Sequence, residues 1–303
     1  MYRYIMLLLA FLQSYSVLAV EGYQLNLAGQ WSVKLDPEDI GEKAGWMNKS
    51  FTASIKLPGT TDDAGLGTAN SLTPELTKPQ LSHLTRKHRY VGAAWYTKEL
   101  SIPQGWKGKE MFLKLERIIW ESTIWIDGIE VPQKQRSLVS SHEFDLRSFL
   151  KAGKTHRLTI RIDNRKKLAI SVDDMAHAYT DHTQIVWNGM IGTMYIEALD
   201  KIHVKQLSTF PNLNAKRVDL SIMLSNKTQK STLSMLKVRG RFKGDKKYLP
   251  TIEKEVLLAP GDSTIQLSYD LGANIRSWSE FSPDLYEVEV ACHSSEGTHA
   301  LNA

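Results

Sequence analysis

The sequence predicts an all-β protein, and three observations carry that prediction. Apolar residues alternate with polar ones in short runs along most of the chain, a hairpin dipeptide joins two of these runs, and no long amphipathic helix interrupts them.

Trp31, Val33 and Leu35 form the first such run. Met111, Leu113 and Leu115 alternate with Phe112, Lys114 and Glu116, so one face of that strand is dry. Ile124-Trp125-Ile126 then runs into Asp127-Gly128, a pair suited to the positive φ angles of a two-residue hairpin, with Ile129-Glu130-Val131 as the return strand. Leu158, Ile160 and Ile162 alternate with Arg157, Thr159, Arg161 and Asp163, after a possible turn from Leu146 to Leu150. Beyond residue 200 the units shorten: Val218 to Leu224, Leu236 to Phe242, Ile265 to Tyr269 and Tyr286 to Val290. Their spacing resembles an immunoglobulin-like sandwich, which places a junction between two sandwiches near Leu199 to Ile202.

Composition narrows the class of protein. The chain has 303 residues, 42% of them apolar, with a net charge of +5 spread over scattered lysines and arginines. Arg165-Lys166-Lys167 and Lys246-Lys247 are the densest basic clusters, too short for a nucleic-acid stripe and expected in solvated turns. Residues 1–19 read as a signal peptide: Arg3 precedes the apolar run Ile5 to Leu12, and Val17-Leu18-Ala19 supplies the cleavage pattern. Cleavage near Ala19 would leave a secreted or periplasmic protein with no membrane segment. Cys292, the sole cysteine, is expected as a buried thiol in a strand.

No serine-nucleophile elbow, zinc-binding His-Glu-x-x-His or phosphate-binding loop occurs in the sequence. His83 with His88, and His177 with His182, lack the further ligands that would complete a zinc site. No cofactor, metal ion or nucleic-acid partner is expected. Two stretches escape the strand pattern, Leu57 to Ala93 and Lys167 to Gly192. They mix carboxylates, amides and aromatic rings, the composition that recognition of sugar hydroxyls and pyranose faces requires, and long ordered loops on a rigid scaffold are where function concentrates.

The order of features then resembles a known family. Gly29-Gln30-Trp31, Leu57-Pro58-Gly59, Trp95-Tyr96-Thr97-Lys98-Glu99, Trp125-Ile126-Asp127-Gly128, Phe144-Asp145-Leu146, Ile162-Asp163-Asn164 and Trp187-Asn188-Gly189-Met190-Ile191-Gly192 follow the order of the sugar-binding domain of family 2 glycoside hydrolases. Trp278 to Tyr286 resembles the end of that family's second domain. The resemblance implies a galactose-binding-like jelly-roll sandwich over residues 20–200 and an immunoglobulin-like β-sandwich over residues 201–303. It also implies a β-glycoside as ligand and a catalytic TIM barrel as the partner that cleaves it.

That barrel carries its acid/base glutamate in an Asn-Glu pair, which this sequence lacks, so the expectation is a chain inactive by itself and without catalytic residues. The doublets Asp62-Asp63 and Asp173-Asp174, read as extended chain, would direct one carboxylate to each face instead of forming a catalytic pair. In the family a few loop side chains of the first domain reach the sugar, and the candidates are Asp62, Asp63, Asn70, Asp181, His182 and Trp187. Trp95, Trp120 and Trp125 are assigned to the core, and Asn188 to fixing the turn back into the sheet. A free-standing carbohydrate-binding module and a structural adhesin are the competing readings. Self-association is expected if the surface meant for the barrel stays uncovered.

Overall fold

The alternating apolar runs form strands that bury one face. The structure is a computed structural model that describes residues 23–70, 86–168 and 186–303. Its early strands are β1 (Gln24–Asn26), β2 (Gly29–Asp36), β3 (Ala53–Leu57), β4 (Gly59–Thr60), β5 (Thr68–Ala69), β6 (His88–Arg89) and β7 (Ala93–Ser101). Then come β8 (Glu110–Arg117), β9 (Glu121–Ile126), β10 (Ile129–Glu130), β11 (Gln135–Arg136), β12 (His142–Asp145), β13 (Thr155–Asp163) and β14 (Gly189–Leu199). The remainder is β15 (Ile202–Asn212), β16 (Arg217–Asn226), β17 (Thr232–Phe242), β18 (Ile252–Leu258), β19 (Gly261–Asp270), β20 (Tyr286–Ser294) and β21 (Gly297–Asn302). Among the described residues the only helical elements beyond a single turn residue are two 3₁₀ turns, Trp46–Asn48 and Gln104–Trp106.

Two hydrophobic clusters organise these strands. The first lies between the sheet β1-β14-β8-β12, with β4 on β14, and the sheet β10-β9-β13-β7-β2-β3, with β11 on β9. Trp31, Tyr96, Leu113, Phe144 and Ile160 sit at its centre. The second lies between β15-β16-β19 and β18-β17-β20-β21, around Ile222, Leu236, Val290 and Tyr269. Leu199 ends β14 and Ile202 begins β15. Cys292 is buried in β20, and burial pushes its thiol pKa up to about 11.

Several details differ from the sequence reading. The return strand of the Asp127-Gly128 hairpin is only Ile129–Glu130, although the Val131 amide still donates to the Ile124 carbonyl. Ile265 and Leu267 are half-buried because β19 is an edge strand of a three-stranded sheet. The stretch Leu57 to Ala93 contains three two-residue strands, β4, β5 and β6, which the alternation rule is too coarse to detect.

Buried imidazoles make this fold acid-sensitive. Burial pushes the pKa of His142 down to about 4 and, with His203 beside it, that of His299 down to about 4, whereas both rise to the ordinary 6.5 on unfolding. The unfolded chain therefore binds protons first, so stability is full above pH 6.5 and falls as pH drops towards 4. Each ring contributes about 3 kcal/mol to that loss. Urea midpoints should decline steadily between pH 7 and pH 4.5; a flat profile would contradict this assignment.

Candidate functional site

Strand register brings the two long stretches to one end of the first sandwich. In the larger sheet Asp36 lies opposite Ala93, Ala93 opposite Asp163, and Asp163 opposite Glu121, so these residues form one row across four strands. At the same end β14 begins at Gly189, which pairs with Thr60 of β4. Gly189 has φ 133°, and a Cβ there would lie 2.4 Å from the Gly59 carbonyl oxygen, so only glycine lets the two segments approach this closely. β14 then carries the chain away to the second sandwich at its other end.

Two fully buried asparagines tie this end together. Asn188 Nδ2 donates to the Gly92 carbonyl at 2.9 Å, and its Oδ1 accepts the Tyr96 hydroxyl at 2.7 Å. Asn164 Oδ1 accepts the Gly92 amide at 2.8 Å, while its Nδ2 donates to the carbonyls of Tyr90 and Trp187, each at 3.0 Å. The Asn188 carbonyl in turn accepts the Thr61 amide at 2.9 Å. Arg86 Nη1 adds a 2.6 Å bond to the Val186 carbonyl. Residues 60–61, 86–92, 162–164 and 186–189 are thereby held as one rim, with their buried backbone groups paired inside the protein.

Charged groups surround this clamp. Burial raises the pKa of Asp163, but hydrogen bonds from Arg165 and Lys167 overcome that effect and hold its carboxyl well below the ordinary range. Arg165 also reaches Asp39 at 2.5 Å, Arg161 bonds Asp39 at 2.5 Å, and Arg136 binds Glu121 at 2.6 Å. The expectation that Arg165 and Lys167 occupy a merely solvated turn is therefore corrected: both neutralise Asp163, which is fully buried and would be costly without them.

The candidate residues meet this rim in different ways. Asp62 and Asp63 sit in a turn, not in extended chain, because the amides of Ala64, Gly65 and Leu66 fold back on Thr60, Asp62 and Thr61. Their carboxylates still diverge. Asp62 Oδ1 accepts the His88 amide at 2.6 Å, while Asp63 Oδ2 accepts the Thr60 hydroxyl at 2.7 Å and its own amide donates to that hydroxyl. Asn70 is exposed beside the β5-β6 pair, its amide bonded to the Lys87 carbonyl. Trp187 is half-buried, its backbone carbonyl held by Asn164. Asp181 and His182 lie outside the described residues, as do Asp173, Asp174, His83 and His177.

The rim thus presents Asp62, Asn70 and Trp187 on a fixed backbone, while Asp63 serves the turn. The sequence reading assigned Asn188 to the turn but missed that it acts together with Asn164; the Ile-Asp-Asn and Trp-Asn-Gly motifs were the available signal. Trp95, Trp120 and Trp125 are buried as expected. Trp95 and Trp125 stack at 4.9 Å beside Trp46 in a separate aromatic cluster, and Trp95 Nε1 donates to Asp36. No group of three or more potential metal ligands occurs among the described residues.

Replacing Asn188 by Ala strips partners from the buried Tyr96 hydroxyl and Gly92 carbonyl and should cost about 3 kcal/mol. Asp63→Ala removes only a turn bond and should cost about 1 kcal/mol. Urea unfolding of the two variants checks this, and equal losses would remove the clamp from its central place.

The chain is similar to known proteins over this region. Residues 25–189 match the family described as "Glycosyl hydrolases family 2, sugar binding domain". The chain is 24% identical to the beta-glucuronidase of Paenibacillus borealis over 145 residues, which is 46% of this chain and 21% of that protein. It is 24% identical to the beta-galactosidase of Streptococcus thermophilus over 245 residues, 77% of this chain and 22% of that one. Among solved structures, a Bacteroides uniformis beta-glucuronidase superposes with TM-score 0.68 at 19% identity, covering 92% of this chain and 31% of that chain. The Ruminococcus gnavus beta-glucuronidase gives TM-score 0.66 at 18% identity, covering 93% and 44%. The chain thus spans about a fifth of the length of these curated relatives. With more than half of its residues inside the matched domain, the chain belongs to glycosyl hydrolase family 2.

Proposed function

We propose that this chain is the sugar-facing, non-catalytic portion of an exported β-glycosidase of the β-glucuronidase or β-galactosidase type. The observation that carries this reading is the clamped rim within residues 25–189, which fixes Asp62, Asn70 and Trp187 at one end of the sandwich. A carboxylate and an amide suit sugar hydroxyls, and an indole suits the flat C–H face of a pyranose.

Cleavage itself is assigned to a catalytic barrel acting on the rim's ligand. A retaining glycosidase needs two carboxyl groups about 5 to 5.5 Å apart, one of them kept protonated by a raised pKa. At this rim Asp39, Glu121 and Asp163 are all pushed the other way by arginine and lysine, against the opposing effect of burial. Such groups cannot donate a proton near neutral pH. The second sandwich supports a docking role: in the segment after β19, Trp278 is 61% and Phe281 89% exposed, and Leu285 is exposed beside them in sequence. An apolar segment of this kind favours coverage by another surface. Export rests on the apolar leader of residues 1–19, with the secreted or periplasmic space as the proposed location.

Calorimetry of the chain with methyl β-glucuronide and methyl β-galactoside should give weak binding without hydrolysis. Trp187→Ala should weaken it about tenfold, or about 1.4 kcal/mol. Absence of heat at millimolar sugar would sink the proposal. The docking role predicts concentration-dependent association in light scattering that Phe281→Ser reduces; a monodisperse monomer at high concentration would argue against it.

A further inference from the structure

At the far end of β14, where the two sandwiches meet, lies a cavity of about 270 Å³ unrelated to the rim. Its floor is partly apolar, with Phe112, Leu199 and Leu301 among its walls. Two histidines also line it, His203 from the start of β15 and His299 from β21, 3% and 8% exposed, with ring centroids 5.8 Å apart at an interplanar angle of 77°.

The backbone dictates the tautomer of each ring. His203 Nδ1 lies 2.8 Å from the Asp200 carbonyl, which can only accept, so Nδ1 carries the hydrogen and Nε2 keeps a lone pair. His299 Nδ1 accepts the Val204 amide at 3.2 Å, so its hydrogen sits on Nε2. Burial, the largest influence on both rings, pushes their pKa values down and keeps them neutral at pH 7. Neither Nε2 has a protein partner, and neither is sealed from solvent. The cavity lining therefore offers one acceptor and one donor, on rings whose centroids lie 5.8 Å apart.

Charge selects among ligands. The cavity walls carry three lysines, Lys114, Lys205 and Lys227, against three carboxylates, Glu143, Asp145 and Glu197. Lys114 is bonded to Glu197 at 2.8 Å, and Lys205 and Lys227 both pair with Asp262, at 2.5 and 3.6 Å. Asp145 is bonded by Arg147 at 2.6 Å. With its cations paired, the cavity has no excess charge to attract an anion, whereas a hydroxyl pair matches this acceptor and donor.

We propose that the cavity between the sandwiches binds a neutral polyol or monosaccharide through two neighbouring hydroxyls, one donating to His203 Nε2 and the other accepting from His299 Nε2. The apolar walls take its C–H face. A ligand here would touch both sandwiches and so fix their relative orientation.

Asparagine places its Nδ2 or Oδ1 where histidine holds Nδ1 but has no atom at the Nε2 position. His203→Asn and His299→Asn thus keep the bonds to Asp200 and Val204 while deleting the cavity-facing groups. The whole chain, labelled with nitrogen-15, is titrated with methyl β-glucopyranoside, with cyclohexanol as the single-hydroxyl control, while imidazole nitrogen signals are followed by NMR. The free protein should show hydrogen on Nδ1 of His203 and on Nε2 of His299. Sugar should shift both Nε2 signals at least as strongly as any other histidine signal, and cyclohexanol should bind about tenfold more weakly. Each variant should fold with native dispersion and lose about fivefold in affinity, whereas Trp187→Ala should leave these shifts intact. Reversed tautomers, unmoved Nε2 signals, or folded variants that bind like the parent would overturn the proposal. The Trp187→Ala arm separates that failure from failure of the rim.

Discussion

Asn164 and Asn188 are fully buried and use both ends of their side-chain amides. Those bonds join three stretches of backbone, around Gly92, Ile162 to Asn164 and Trp187, and the Asn188 carbonyl adds a fourth at Thr61; the polar side chains offered to solvent depend on that backbone. An amide suits the task because it is donor and acceptor at once and carries no charge that burial would penalise. A carboxylate at either position could satisfy only the donors, and would leave the carbonyls of Gly92, Tyr90 and Trp187 facing an acceptor. The clamp thus connects the core of the sandwich, through Tyr96, to the rim that the proposed function uses.

The charged layer around the clamp follows from the same constraint. Asp163 shares the end of β13 with Asn164 and is buried by the same packing, so it needs Arg165 and Lys167 as counter-charges. Those cations hold the neighbouring carboxyls ionised, which favours binding and positioning and disfavours proton donation. Structural pairing and the lowered pKa values of Asp39, Glu121 and Asp163 are therefore two consequences of one arrangement.

Much of this was legible in the sequence, and the limits have physical causes. Alternation at Leu113, Leu158 and Val218 reports burial on one sheet face, so the all-β class could be read directly. The two-residue strands β4 to β6 were invisible because a period of two needs more residues than they contain. Asp62 and Asp63 read as extended chain because their turn is set by Thr60 and by the distant His88 amide, contacts without a local hydrophobic signature. Asn164 and Asn188 stood in quoted motifs, but their partners lie up to 96 positions away, and a single sequence does not reveal such pairings. The pairing of His203 with His299 was hidden for the same reason.

The central claim is that the clamped end of the first sandwich is the part that faces sugar. Hydrogen exchange of the chain with and without saturating methyl β-glucuronide tests it most directly, because amides report where a ligand sits without any substitution. The account predicts slowed exchange concentrated in residues 60–70, 86–92 and 186–190, with β16 and β19 unchanged. Slowed exchange that leaves this end untouched, at a ligand concentration that demonstrably binds, would contradict it.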